Sequence, residues 1–199
     1  DEETAEIVQM VLAGKINKGL VAQLDNLGGR AMGICGMDGG LIQAEMLDER
    51  LGYVGRIKEV HPQPLFDLLE KGYIPVVSSI GCDASGHVYN INADTAAAAV
   101  AASVHAESLI SMTDIPGILL DPSDPSTLIR KVDLVRAQRL VDDGIITGGM
   151  IPKVACCMDA IKAGVKKVFV IDGRIPHAIL VETLTDEGIG TMFVKEDVS

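Results

Sequence analysis

The chain has 199 residues, 48% of them hydrophobic and 23% charged, the balance of a folded globular protein rather than a disordered one. Its formal net charge of −11 gives no net attraction to phosphate backbones, which excludes non-specific nucleic-acid binding. Aromatic residues are only 3% and Trp is absent, so the core has to come from Val, Ile, Leu and Ala, the composition of a buried parallel sheet under Ala-rich helices.

In chain order, Glu2 to Leu24 reads as a helix with Ile7, Met10, Val11 and Gly14 on one face and Lys15 and Lys18 on another. Arg30 to Cys35 is a strand candidate. Asp38-Gly39-Gly40 signals a turn from which Leu41 to Met46 returns as a second strand. Val54 to Val60 is a small strand, and Pro62 and Pro64 open a helix through Lys71. The apolar run Tyr73 to Ile80 predicts a buried strand, Asp83 to Gly86 a hairpin turn ending near Tyr89, and Ala93 to His105 an alanine-rich helix. Glu107 to Thr113 is the next buried strand, and Asp121 to Pro125 a loop. Asp133 caps an amphipathic helix to Asp143, a Gly-rich turn covers Gly144 to Gly149, and a second helix spans Ile151 to Ala163. Lys167 to Ile171 is a strand, His177 to Leu184 a helix, and Thr191 to Val194 a closing strand.

This alternation predicts an α/β fold, a three-layer sandwich with a mostly parallel central sheet. A soft boundary falls near Ser108, dividing the chain into 1–108 and 109–199. The four cysteines show no zinc spacing and read as free thiols of a reducing compartment. No apolar run reaches membrane-spanning length, and no signal peptide is visible. The opening Asp-Glu-Glu-Thr, without Met, implies an upstream segment.

Four segments carry candidate chemistry. Asn90-Ile-Asn92-Ala-Asp94 sits between a hairpin and a helix start. On an extended backbone its three polar side chains share one side and could hold a polar substrate and a lysine. Alternatively, Asn92 simply caps the helix and Asp94 lies in its first turn; the two readings are compatible, because a helix N-terminus is itself an anion site. Thr113-Asp114-Ile-Pro-Gly117 follows a strand, where open α/β sheets bind ligands, or is an ordinary strand-to-turn transition. Gly148-Gly149-Met150-Ile-Pro-Lys153 lacks Walker A spacing. It either brings backbone N–H groups and the Lys153 ammonium to one phosphate or is a plain cap before an exposed lysine. The last segment runs from Asp172-Gly-Arg-Ile-Pro-His177 to Asp186-Glu187-Gly-Ile-Gly190-Thr191. It holds tight glycine turns, with His177 and Glu187 facing a ligand or serving as surface and cap residues.

The ordered set of these motifs resembles the acetylglutamate kinase family of the amino acid kinase superfamily. Gly14-Lys-Ile-Asn-Lys18, Leu51-Gly-Tyr-Val-Gly55, Gly72 to Gly81, Asn90 to Ala97, Thr113 to Leu119 and Ile146 to Lys153 all take part. The resemblance implies transfer of the γ-phosphoryl of ATP, carried with Mg2+, to the side-chain carboxylate of N-acetyl-L-glutamate in arginine biosynthesis. It implies Lys153 as the lysine on the nucleotide side of the transferring group and Asp94 as the residue orienting the catalytic lysines. Asn90 and Asn92 would bind acetylglutamate, and Thr113, Asp114, Gly117, Ile145, Gly149 and Met150 would bind nucleotide. No protein metal cage is expected. The family's N-terminal strand, first lysine, Gly-rich phosphate loop and substrate-binding arginine have no counterpart in these residues, so the chain is expected to hold part of an active site. Residues 1–108 would be the rest of the acetylglutamate-binding and dimerisation lobe, and 109–199 the nucleotide lobe.

The C-terminal segment resembles that of arginine-inhibited members, with His177, Glu187 and Gly190 at the inhibitor. The resemblance further implies a homo-oligomer, dimer or trimer of dimers, in the cytoplasm, or in the plastid stroma of a plant or alga. Neither nucleic acid nor membrane is expected as a partner. Other readings are a non-catalytic fragment binding nucleotide or arginine, and a superfamily kinase with another acceptor.

Overall fold

The computed structural model describes residues 1–185 and 188–196. The chain divides into two compact units, Asp1–Val104 and His105–Ser199. Among the described residues, no helix is long and apolar enough to cross a membrane.

The first unit opens with α1 (Glu2–Gln9), N-capped by Asp1, whose carboxylate accepts from the Thr4 N–H. The helical run continues without a break through a π-helical stretch, Met10–Ile16, into α2 (Asn17–Asn26). A π turn spaces its hydrogen bonds one residue further apart and slips the phase of the helix. The apolar face expected from an α-helical period is therefore not the buried one. Ile7 and Met10 stand 50% and 64% exposed, while Ala5 and Asn17 are buried.

Strands β1 (Ala31–Cys35), β2 (Ile42–Met46) and β3 (Gly55–Val60) precede α3 (Gln63–Glu70), with Pro64 in its first turn. Then come β4 (Ile74–Ser78), β5 (Ile80–Cys82), β6 (Val88–Asn90) and α4 (Ala93–Ser103). Asp38-Gly39-Gly40 forms a 3-10 turn but no hairpin. β1 pairs in parallel with β4, whereas β2 joins a separate sheet of order β3-β2-β5-β6. The run Tyr73 to Ile80 is split between β4 and β5, and β4 is only half-buried, pairing among the described residues with β1 alone. The core of this unit gathers Leu41, Ile42, Ala44, Leu65, Tyr89 and Ile91 under Ala96 of α4.

Asn17 is the buried polar side chain of this unit, 2% exposed. Its amide nitrogen donates to Ile34 O at 3.1 Å on β1 and to Val76 O at 2.8 Å on β4, so one side chain ties the helix to both strands. Its Oδ1 is buried without a hydrogen-bond partner and faces Gly33, where a Cβ would lie 1.9 Å away. An apolar cavity of about 380 Å3 lies beside it, lined by Leu12, Leu20, Val76, Ala97 and Val100; none of the expected substrate residues lines it.

The second unit begins with β7 (Ser108–Thr113), followed by a 3-10 turn at Pro125–Thr127 and β8 (Lys131–Asp133), which is too short to stand out in the sequence. Next come α5 (Leu134–Asp142), α6 (Met150–Lys162), β9 (Lys167–Asp172), α7 (Ala178–Leu184) and β10 (Thr191–Val194). Asp133 caps α5, its carboxylate accepting from the Arg136 N–H at 2.7 Å. The sheet order is β7-β9-β10-β8. β9 runs parallel to β7 and antiparallel to β10, and β10 runs parallel to β8. β9 lies inside this sheet, which explains its continuous apolar run Val168–Ile171.

Replacing Asn17 with Leu leaves Ile34 O and Val76 O without that donor and costs about 2–3 kcal/mol. Hydrogen exchange is expected to show lost protection in β1 and β4 with β9 unaffected; unchanged protection in β1 and β4 refutes the role given to Asn17.

Candidate active site

In the first unit the site candidates sit where β6 hands over to α4. Asn90 ends β6, pairs with Ile80 of β5, and donates its backbone N–H to Tyr53 O at 3.0 Å. Asn92 is the N-cap of α4, its Oδ1 accepting from the Thr95 N–H at 3.1 Å. Asp94 lies in the first helical turn. The three residues therefore do not share one extended strand; the capping arrangement is the one adopted. With its oxygen committed to the cap, Asn92 has an amide NH2 to offer a ligand, next to the electropositive end of an 11-residue helix.

The β5–β6 hairpin that carries Asn90 is organised around Asp83. Its carboxylate accepts from the Ser85 and His87 backbone N–H groups at 2.8 and 3.0 Å. It also accepts from His87 Nδ1 at 2.9 Å and from the Tyr89 hydroxyl at 3.1 Å. These donors, His87 first, hold the Asp83 carboxyl at a pKa of about 2.

In the second unit Gly117, Ile145 and Met150 line one cavity of about 280 Å3, together with Ile115, Ile118 and Thr147. Its lining is mostly apolar. Thr113, Asp114 and Gly149 are not part of its lining. Thr113 ends β7, its hydroxyl 3.3 Å from Asp114 Oδ1. Gly149 precedes α6 as its N-cap with no side-chain cap bond, and Gly148 has φ +55. Lys153 is half-buried in the first turn of α6, and its Nζ donates to Ser111 Oγ of β7 at 3.4 Å. The lysine is thus aimed at the sheet rather than at open solvent.

The carboxyl ends of β7 and β9 lie side by side, with Thr113 opposite Asp172. Asp172, only 7% exposed, accepts from Arg174 Nε and NH2 at 2.9 and 2.8 Å and from the Arg174 backbone N–H. This pairing holds Asp172 at a pKa of about 2, and the guanidinium also feels Asp114. In the sequence the Asp172-Gly-Arg174 segment stands out for its glycine and its likeness to arginine-inhibited members; the ion pair itself is signalled only by an acid at the end of a buried strand, two residues before an arginine. Ser111 gave none, because its partner lies far along the chain.

Of the inhibitor set, His177 is the N-cap of α7 with φ +60. Gly190 is held through its N–H by Glu182 of the same helix at 2.9 Å. Glu187 lies outside the described residues. Among the described residues no group of three His, Cys, Asp or Glu side chains could hold a metal ion.

The sequence profile of the amino acid kinase family matches residues 1–172. The acetylglutamate kinase of Brachyspira hyodysenteriae is 54% identical over 198 residues, covering 98% of this chain and 69% of that protein. The acetylglutamate kinase of Gloeobacter violaceus is 49% identical, covering 100% and 67%. Among solved structures, that of smu.665 from Streptococcus mutans matches with a TM-score of 0.82 at 27% identity, over 98% of this chain and 74% of that one. The chain belongs to the amino acid kinase family and, within it, to the acetylglutamate kinases.

A carboxylate held at a low pKa in the folded state stabilises that state above the unfolded value near 4 and loses the contribution as pH falls towards 2. Asp83→Asn is therefore expected to flatten the decline of thermal midpoint between about pH 4 and 2. The part due to Asp172 remains. A parent-like slope in the variant rules out Asp83 as an acid-sensitive tie.

Proposed function

We propose that the polypeptide transfers the γ-phosphoryl of ATP to the side-chain carboxylate of N-acetyl-L-glutamate. Residues 1–108 serve the acetylglutamate side and 109–199 the nucleotide side. The observation that carries this reading is the 54% identity to an acetylglutamate kinase across 98% of the chain, site segments included.

The chemistry follows from the acceptor. A side-chain carboxylate is already ionised at neutral pH, so no general base is needed. One carboxylate oxygen attacks the γ-phosphorus, the bond to the β–γ bridging oxygen breaks, and ADP leaves with that electron pair. The obstacle is repulsion between two anions, which positioning and positive charge have to overcome. Lys153 supplies charge from the nucleotide side. Asp94 orients the lysines, and the amides of Asn90 and Asn92 hold acetylglutamate at the start of α4. The cavity lined by Gly117, Ile145 and Met150 takes the adenine, with Thr113, Asp114 and Gly149 at the nucleotide around it. Mg2+ would come with the ATP phosphates and would supply charge neutralisation there, with phosphate and water rather than side chains as its main ligands.

The segment with His177, Glu187 and Gly190 is read as a site for inhibitory L-arginine. The exposed apolar face Ile7, Met10 and Val11 fits a contact between subunits of a dimer. The cytoplasm is the compartment proposed.

Hydroxylamine trapping of the acyl phosphate tests the acceptor. N-acetylglutamate is expected to turn over well ahead of glutamate and aspartate, and a preference for either of those overturns the assignment. In the full-length enzyme Lys153→Ala is expected to lower kcat by about a hundredfold or more with little change in the acetylglutamate KM. An unchanged kcat removes Lys153 from the mechanism. Asn90→Ala is expected to raise the acetylglutamate KM about tenfold and leave that of ATP alone. The opposite pattern would reassign Asn90.

A further inference from the structure

The Gly-Ile-Gly-Thr stretch that closes the chain's last motif has a second task. We propose that Thr191 is a positioning residue for the nucleotide pocket, its hydroxyl fixing the backbone wall at Gly117 and Ile118. The proposal rests on reading that cavity as the nucleotide site.

Thr191 is fully buried. Its Oγ1 accepts from the Ile118 N–H at 2.9 Å and donates to Ile129 O at 2.7 Å. Beside this bridge, the Ile129 N–H donates directly to Ile118 O at 2.8 Å. Ile118 and Ile129 thus form one half of an antiparallel exchange, and the threonine hydroxyl is inserted where the second amide-to-carbonyl bond would close. One side chain satisfies both buried backbone groups and sets the gap between the two segments. The insertion needs glycine beside it: Gly117 has φ +134, and a Cβ there would lie 2.5 Å from Thr191 Oγ1. Both Gly117 and Ile118 line the cavity of about 280 Å3.

The hydroxyl is itself held in place. Thr191 starts β10 opposite Val170 of the buried β9. In the turn before it, Glu182 Oε2 accepts from the Ile189 and Gly190 N–H groups at 2.6 and 2.9 Å, and Arg130 donates to Gly188 O at 2.7 Å. A Cβ on Gly190 would lie 2.3 Å from Val170 O, so the turn lies directly on the strand. The pocket wall is therefore referenced, through one hydroxyl, to the buried strands of the unit.

The test is calorimetric titration of MgATP and, separately, N-acetylglutamate into the parent protein and into Thr191→Val, Thr191→Ser and Glu182→Gln. Thr191→Val is expected to bind MgATP about tenfold more weakly, with acetylglutamate affinity unchanged and the Ile118 amide exchanging faster. Thr191→Ser, which keeps the hydroxyl, is expected to stay within about twofold of the parent, and Glu182→Gln to lose about threefold for MgATP alone. Parent-like MgATP affinity in Thr191→Val, or equal loss for both ligands, overturns the proposal and leaves the nucleotide reading standing. Should Thr191→Val not fold, Glu182→Gln decides, and parent-like MgATP affinity there overturns it. A parent that binds acetylglutamate but not MgATP overturns the nucleotide reading and this inference with it.

Discussion

A backbone N–H or C=O shut away from water must find a partner, and in each unit of this chain a buried polar side chain joins two backbone segments in this way. In the first unit the Asn17 amide reaches carbonyls of two parallel strands, Ile34 on β1 and Val76 on β4. In the second, the Thr191 hydroxyl joins Ile118 and Ile129. Apolar packing brings helices and strands together without fixing their register; a hydrogen bond with an angular preference fixes it. Much else depends on these two ties. The first determines which face of the helical run lies on the sheet despite the slip introduced by the π turn, and the second determines where the loop after β7 lies.

The same economy is visible at the sheet ends. Asp83 gathers two backbone and two side-chain donors, so the short hairpin acquires a defined shape just before Asn90. Asp172 is paired with Arg174 two residues on, which keeps a nearly buried carboxylate ionised at the end of β9. Isolated burial would have favoured its neutral form; the adjacent guanidinium reverses that preference. Both carboxylates are thus fixed in charge and orientation across the neutral range.

What could be read from the sequence divides along the same line. Local rules found most elements: the Asp133 cap, Pro64 in the first turn of α3, the turn at Asp83 to Gly86, and the alanine-rich α4. They failed where partners are distant. The turn at Asp38 to Gly40 looked like a hairpin because nothing local says that β1 pairs with β4 across α3. The run Tyr73 to Ile80 looked buried because apolarity does not reveal that β4 has a neighbour on one side only. At the site, the choice between a shared extended face and a helix cap for Asn90, Asn92 and Asp94 could not be made without the backbone. The contacts of Ser111 with Lys153, and of Thr191 with Ile118, span 42 and 73 residues and leave no periodic trace.

An overall charge of −11 opposes the approach of the two anions that the proposed reaction brings together. Distance resolves it. At physiological ionic strength, exposed charges are screened beyond about 8 Å, so distant surface carboxylates contribute little at a bound ligand. On the proposed reading what acts on each ligand is short-range: in the first unit the amide NH2 of Asn92 at the start of α4, and in the second the backbone N–H groups near Gly149 and the half-buried Lys153 ammonium. In a site of low effective dielectric, one such cation a few ångströms from the transferring group outweighs many solvated carboxylates further away. The proposed reaction therefore asks for local charge rather than net charge, and on that reading the residues that hold Lys153, the start of α4 and the pocket wall in place bear on activity alongside the groups that touch the ligands.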